Sequence, residues 1–367
     1  MLSSVRLLDL SRVLAGPLAT MMLADLGAKV IKVERPQVGD DTRGWGPPFD
    51  DRGESAYYLS VNRNKKSIAL DIEHHGDREV LLSLAREADV VLDNFKPGTL
   101  ERRGISPEDL LESNPRLIWC TITGFGEGTS RAGYDLVVQA EAGWMAITGE
   151  PNGEPMKVGV ALADIVAGKD AAIAILSALV GRSVPGQHLS PGKRRIHISL
   201  AASARAALIN VAQNSLVTGN DARRWGNQHP NLVPYQLFHA SDRAMVIAVG
   251  SDSQWSAFTD AAELHDLGDD EKLRTNAGRI AERDRIVARI SERLRERSSN
   301  EWMELFDRVK VPAGLVKTVV ESLGEAEASA LTGIAPSVPG SVRLPPPLLD
   351  EHGDAIRENG WATFDSR

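Results

Sequence analysis

Several short apolar runs in the first third of the chain end in side chains suited to holding an anionic, aromatic ligand. They are Val13, Arg35 after Glu34, Leu70, and the pair Asn94-Phe95. Open α/β sheets gather their ligands at the carboxyl ends of strands. One cation, one amide, one aromatic ring and several apolar groups suit a nucleotide carrying phosphates and a purine. Arg35 can pair a phosphate and Phe95 can lie against an adenine face. Arg35 can equally pair a surface carboxylate and Phe95 can be core, and these residues alone leave both readings open. The turn Ser11-Arg12-Val13-Leu14-Ala15-Gly16-Pro17 carries a single glycine, where a dinucleotide fingerprint needs G-x-G-x-x-G. That argues against a nicotinamide or flavin cofactor. Cys120, the only cysteine, lies in the apolar stretch Leu117 to Ile122 and reads as packing rather than as a nucleophile. His74, His75, His188, His197, His229, His239, His265 and His352 show no metal-ligand spacing, so no metal is expected.

The elements that must carry these residues alternate. Val5 to Leu10 reads as a strand, and Pro17 opens a helix over Leu18 to Leu26 that Gly27 ends. Lys29 to Val33 is a strand, followed by a polar loop rich in Gly and Pro (Gln37 to Glu54) and a strand over Ser67 to Ile72. Lys65 and Lys66, before that strand, read as solvated surface. Helix Asp77 to Glu87, strand Val90 to Phe95, helix Pro107 to Ser113 with Ser106 as its cap, and strand Arg116 to Thr123 continue the pattern. Such alternation predicts a parallel α/β sheet. Ala163 to Val180 reads as a long, almost wholly apolar helix, deeply buried. A strand over Ile196 to Ser199 and a helix over Leu200 to Leu216 follow.

Around Gly219 to His229 the character turns polar. Beyond it come a strand over Ala244 to Val249 and helix Asp252 to Ala262, with Ser251 and Gln254 as a capping box. A long charged helix over Arg279 to Arg297 and helix Asn300 to Val309, capped by Ser298 with Glu301, complete the set. The expected division is a large domain over 1–190 completed by 325–367, a helical linker over 191–224, and a small domain over 225–324. The Pro-rich C-terminal stretch is expected to run extended over a surface.

Composition excludes several classes of function. The chain has 367 residues, 42% hydrophobic and 25% charged, as in an ordinary soluble protein of one to three domains. A net charge of -8 argues against nucleic acid as the main partner. No charge-free apolar run is long enough to span a membrane, and Arg6, Asp9, Arg12 and Asp25 break up any signal-peptide pattern. A lone cysteine allows no internal disulfide and fits a reducing, cytoplasmic setting.

Longer strings resemble a known family. Asp9-Leu10-Ser11-Arg12-Val13-Leu14-Ala15-Gly16-Pro17 followed by Leu23 to Glu34 is similar to the opening signature of the class III CoA-transferases. So are Asn62 to Ile68, Asn94-Phe95-Lys96-Pro97-Gly98, Gly133-Tyr134-Asp135, Gly159 to Asp164, His229-Pro230-Asn231 with Val233-Pro234-Tyr235, and Gly250-Ser251-Asp252 with Gln254-Trp255. The strings occur in the family's order over nearly the whole chain. The resemblance implies a Rossmann-like parallel sheet in the large domain, a smaller α+β domain, and an interlocked homodimer. It places the catalytic aspartate at Asp164 and CoA contacts at Val13, Arg35, Leu70, Asn94, Phe95 and Arg102. Tyr134, His229 and Tyr235 are expected to line the acyl pocket, with Trp144 beside them. His229 suits a structural loop role equally well.

The implied reaction moves CoA from an acyl-CoA to a carboxylic acid through an aspartyl anhydride and an aspartyl-CoA thioester, with CoA as substrate and no other cofactor. An aspartate, with an ordinary pKa near ~3.9, is ionised at neutral pH, and the head of a helix offers free N–H groups to an oxyanion. A plain helix cap is the competing role for Asp164. Leu14 stands where formyl-CoA transferases carry a glutamine, and Ala132 where they carry a lysine near CoA. Their run of glycines is missing too. These departures argue against formate and oxalate as the substrate pair. Two rivals remain: an acyl-CoA α-carbon racemase, disfavoured because Tyr134 stands where that group has its histidine base, and a catalytically silent acyl-CoA-binding protein.

Overall fold

The computed structural model describes residues 1–186 and 189–365; His188 lies outside the described residues. The chain divides into two compact units. One comprises Met1–Met145, Lys157–Asn220 and the stretch from Ala326 onward, the other Ala146–Met156 and Asp221–Glu325.

Six parallel strands organise the first unit: β1 (Arg6–Asp9), β2 (Lys29–Glu34), β3 (Lys65–Ala69), β4 (Val90–Asp93), β5 (Ile118–Thr123) and β6 (Arg195–Ser199). Their order is β3-β2-β1-β4-β5-β6, and every neighbouring pair is parallel. Parallel sheets need cover on both faces, and the two-residue period of a strand sorts its side chains between them. Leu7, Val30, Val90, Leu92, Ile118 and Cys120 pack in one core with residues of helices Ala15–Asp25 and Leu162–Ser183. Leu8, Ile31, Val91 and Trp119 pack in the other with residues of helices His75–Glu87 and Pro107–Ser113, and with Ile356 and Trp361 from the C-terminus. Each such fully buried aliphatic side chain contributes about 1.5–3 kcal/mol, so the sheet is held by both cores together. The strand order reverses between β1 and β4, which opens a crevice at their carboxyl ends.

Helix Leu162–Ser183 is not buried all round. One stripe of mostly small residues, including Ala163, Ala167, Gly168, Ala171 and Ala172, is covered, while Ile173 and Val180 are 64% and 67% exposed. The small residues allow a close crossing: a Cβ on Gly168 would sit 2.6 Å from the carbonyl oxygen of Ala15. The stretch over 191–220 joins the first unit because Leu200, Ala201 and Ala204 pack into its core and Ala201 N–H donates to Gly124 O at 3.0 Å. Its single expected helix is two, Leu200–Ala206 and Ile209–Thr218, parted where Ile209 takes a φ of 39°.

The Pro-rich C-terminal stretch runs along the β3 side of the sheet. Asn64 N–H donates to Leu344 O (3.0 Å), His352 N–H to Ser67 O (3.0 Å), and Asp350 Oδ1 accepts from Ala69 N–H (2.7 Å). These contacts satisfy an edge strand that would otherwise offer free backbone groups.

The second unit has an antiparallel sheet of β7 (Tyr235–His239), β8 (Ala244–Ala248) and β9 (Ala313–Leu315). It is packed by Trp255, Phe258, Trp302 and Phe306. Ser298 and Glu301 form a reciprocal capping box. Ser251 accepts from Gln254 N–H at 3.2 Å, while the Gln254 side chain reaches Gly250 N–H instead of closing a box on Ser251. The long charged helix expected over Arg279 to Arg297 is broken at Glu282 into Asn276–Ala281 and Arg283–Leu294. Arg279 is pinned inside, its guanidinium donating to Val233 O (2.9 Å) and Leu273 O (2.9 Å).

Candidate active site

Two adjoining cavities occupy the crevice at the ends of β1 and β4, sharing Arg12, Phe95 and Lys96 as a wall. The smaller, about 210 Å³, is lined by Val13, Asn94, Tyr134 and Asp164, together with Leu14 and Ala132. The larger, about 630 Å³, is lined by Arg35 and Leu70 and floored by Leu10, Val33 and Leu81. An acidic group in a small chamber beside a larger, half-apolar one fits a long ligand whose reactive end enters the first.

Asp164 lies in the first turn of helix Leu162–Ser183 but is not its cap. The N-cap is Ala161, which makes no side-chain capping bond. The leading amides are already used: Leu162 N–H donates to Val160 O at 2.8 Å, and Ala163 N–H to Asp135 Oδ1 at 2.8 Å. That pair is therefore not free to serve an oxyanion. Nor is Asp164 an ordinary carboxylate. Burial, with the negative charge of Asp135 second, pushes its carboxyl from 3.8 up to about 7. The group is partly protonated at neutral pH, and its ionised form is a stronger base and nucleophile than a solvated carboxylate.

Asp135 is held in turn. Its Oδ2 accepts from Gln139 Nε2 (2.7 Å), and Gln139 Oε1 accepts from Val158 N–H (2.9 Å). The loop before it is drawn tight where Gly124 and Gly133 meet, since a Cβ on Gly133 would lie 2.4 Å from the Cα of Gly124. Tyr57 is a functional candidate that sequence reasoning missed. Burial, then the charges of Asp164, Asp135 and Asp40, push its phenol up to about 12, so it remains an O–H donor in an acidic site. Its ring meets Trp45 edge-on at 5.1 Å. Nothing in the pair Tyr57-Tyr58 separates the two by sequence, yet Tyr58 is fully buried core.

The expected ligand contacts divide. Val13, Asn94 and Phe95 border the smaller cavity, and Arg35, Leu70 and Phe95 the larger. Arg35 is half exposed and pairs with Asp41. Asn94 is occupied with the neighbouring turn, accepting from Arg12 N–H at 3.0 Å and donating to Arg12 O at 2.7 Å. Arg102 lines neither cavity and faces solvent beside Thr99. Arg103 lines the larger cavity in its place and pairs with Glu73 at 2.7 Å. Trp144 is core, 6% exposed, its indole N–H donating to Ala204 O at 3.0 Å. His229 and Tyr235 belong to the second unit, where their rings pack 5.1 Å apart and His229 Nδ1 accepts from Asn231 N–H at 3.0 Å. Lys65 is not surface. It is fully buried and bonded to Asp9 at 3.0 Å, while Lys66 reaches Thr363 O. Burial also pushes the Cys120 thiol far up, which leaves it unreactive. Among the described residues no cluster of three His, Cys, Asp or Glu side chains is placed to hold a metal ion, and no helix is long and apolar enough to cross a membrane.

Comparison with known proteins identifies the family. Residues 2–344 match the model of CoA-transferase family III. The human succinyl-CoA:glutarate CoA-transferase is 40% identical over 96% of this chain and 84% of its own length. The acetyl-CoA:oxalate CoA-transferase of Acetobacter aceti is 34% identical over 96% of this chain and 93% of its own. Among solved structures, a CAIB/BAIF family protein from Brucella suis superposes with a TM-score of 0.85 at 38% identity, covering 97% of this chain and 98% of that one. The chain belongs to CoA-transferase family III.

Proposed function

We propose that this enzyme exchanges CoA between short dicarboxylic acids, with Asp164 as the covalent nucleophile. The observation that carries the reading is a basic, half-enclosed carboxylate at the small end of a two-chamber crevice, with no described residue donating a hydrogen bond to it. A carboxylate is a weak nucleophile, and desolvation is the means of strengthening it without a separate base. The substrate class is supported by the relative named succinyl-CoA:glutarate CoA-transferase, 40% identical over nearly the whole chain.

In the forward direction Asp164 attacks the thioester carbonyl carbon. The C–S bond breaks, CoA leaves as thiolate, and a mixed anhydride forms. The thiolate attacks the aspartyl carbonyl of that anhydride and releases the donor acid as carboxylate, leaving an aspartyl-CoA thioester. The acceptor carboxylate then attacks this thioester, thiolate leaves again, and its return to the acceptor's acyl carbon gives the new acyl-CoA and free Asp164. Charge is conserved at each step, so the chemistry calls for no cofactor beyond the CoA substrate. Held in place, CoA thiolate meets each anhydride at high effective concentration. Arg35, Leu70 and Phe95 serve the nucleotide end, and Arg103 takes the place expected for Arg102.

We also assign the enzyme to a homodimer. Exposed apolar side chains support this reading: Ile173 and Val180 on the long helix, and Ile209, Leu216 and Val217 on a helix with no buried residue, are surfaces a second copy would cover. The single buried cysteine suits a cytoplasmic setting.

Hydroxylamine trapping tests the nucleophile. The enzyme incubated with succinyl-CoA and then hydroxylamine should yield a hydroxamate on the peptide containing Asp164, read by mass spectrometry. An enzyme that turns over while that peptide stays unmodified refutes the covalent route.

A further inference from the structure

The turn that lines the crevice contains no glycine from Ser11 to Val13, yet side chains hold its backbone polar groups one after another. Ser11 N–H donates to Asp9 Oδ1 (3.0 Å), and Ser11 O accepts from Lys32 Nζ (2.9 Å). Asn94 clasps Arg12 at both N–H and C=O. Val13 N–H points at the carboxylate of Asp40, 3.2 and 3.3 Å from its two oxygens. Val13 needs such a hold because its φ is 75°, a left-handed conformation that β-branched residues avoid.

Asp40 is itself fixed from behind. It is 1% exposed and Lys32 is fully buried. Lys32 Nζ donates to Asp40 Oδ2 at 2.9 Å, and Thr42 supplies its N–H and hydroxyl to Oδ1 at 3.0 and 2.8 Å. The turn also touches the nucleophile's helix. Ala15 O is the atom that leaves no room for a side chain at Gly168, and Gly168 lies one helical turn after Asp164.

We propose that Asp40, oriented by Lys32, is a positioning residue for the thioester site: it holds Val13 in its left-handed conformation and thereby sets the wall that Val13 and Leu14 share with Asp164. Where a dinucleotide-binding turn obtains its shape from glycines, this one obtains it from a buried ion pair. The inference rests on the transferase reading above.

A double-mutant cycle on the full chain tests it, with succinyl-CoA as donor and glutarate as acceptor. Asp40→Ala should raise KM for the acyl-CoA about tenfold, the size of one charge-assisted hydrogen bond, and leave KM for the acid within about twofold. A purely structural role would instead lower the amount of active enzyme and move neither KM. Glycine adopts positive φ unaided, so in a Val13→Gly background the same change should raise KM by no more than about twofold. If Asp40→Ala does not fold, Asp40→Leu combined with Lys32→Met removes both buried charges and the acceptor for Val13 N–H together and should show the same split. An unchanged acyl-CoA KM, or an equal rise in both backgrounds, overturns the proposal. Should wild-type enzyme neither turn over nor form the Asp164 adduct, the transferase reading has failed instead. Calorimetric binding of CoA then tests Asp40 separately: tenfold weaker binding in the variant upholds the positioning role and unchanged binding ends it.

Discussion

Replacing Asp135 by asparagine should move the acid limb of the pH–rate profile. Asp164 titrates at about 7, raised first by burial and second by Asp135. Attack requires the ionised form, so kcat/KM for the acyl-CoA should climb as pH rises through 7 and level off above 8. Asparagine at 135 keeps an oxygen for Ala163 N–H, which Asp135 now accepts at 2.8 Å, but removes the negative charge. A neighbouring charge acting through an effective dielectric of about 20, discounted for the open side of the cleft, is worth about 1.4 kcal/mol, or about one pH unit. The limb should therefore shift toward acid by about that much. Desolvation is the larger cause and survives the substitution, so the limb should stop short of 4. Initial rates with succinyl-CoA and glutarate from pH 5 to 9 measure it in wild type and variant. The ionisation of CoA itself is common to both profiles and cancels in the difference. A wild-type midpoint near 4, or one that the substitution leaves in place, would refute the account of how this carboxylate is tuned.

Asp164→Asn should abolish turnover, by about 10⁴-fold or more as for loss of a covalent nucleophile, and also stabilise the protein above pH 7. The sign follows from linkage: a folded-state pKa raised above the unfolded 3.8 gives stability that is fully present below 3.8 and lost as pH rises through about 7. The gap sets an upper limit of about 4 kcal/mol, reduced because the cleft is open; equal melting temperatures at pH 8 would contradict it. Gly168→Val must part the long helix from Ala15 O, 2.6 Å from its Cβ, costing about 1–3 kcal/mol by overpacking and lowering kcat; thermal melts and kinetics check both. Lys65→Met strands the buried carboxylate of Asp9, otherwise held at about 2 against burial by Lys65 and Lys32, and should cost about 3–5 kcal/mol in urea unfolding. Adding Asp9→Asn should recover part of that loss.

How much could be read in advance differs from element to element. The strands are short and apolar and their helices begin at Ser106-Pro107 or Ser298 with Glu301, so their positions followed from local chemistry and lay within a few residues of those observed. The helix over Leu200 to Leu216 failed for the opposite reason: no residue there marks the break, which lies at an isoleucine in positive φ. Arg102 and Arg103 are chemically equivalent side by side, and only the path of the loop decides which of them faces the larger cavity.

The pattern of apolar runs and turn residues by itself determined a parallel α/β sheet and which side chains stand at its strand ends, because backbone periodicity and solvent exclusion act over a few residues at a time. The tertiary structure alone decided that Lys65 is buried, that Asp40 holds Val13, and that Asp164 is basic rather than merely acidic. Those properties depend on which charges come within a few ångströms of one another and on how much water is removed from between them. Residues far apart in the chain supply both, and their order along it does not encode the distance.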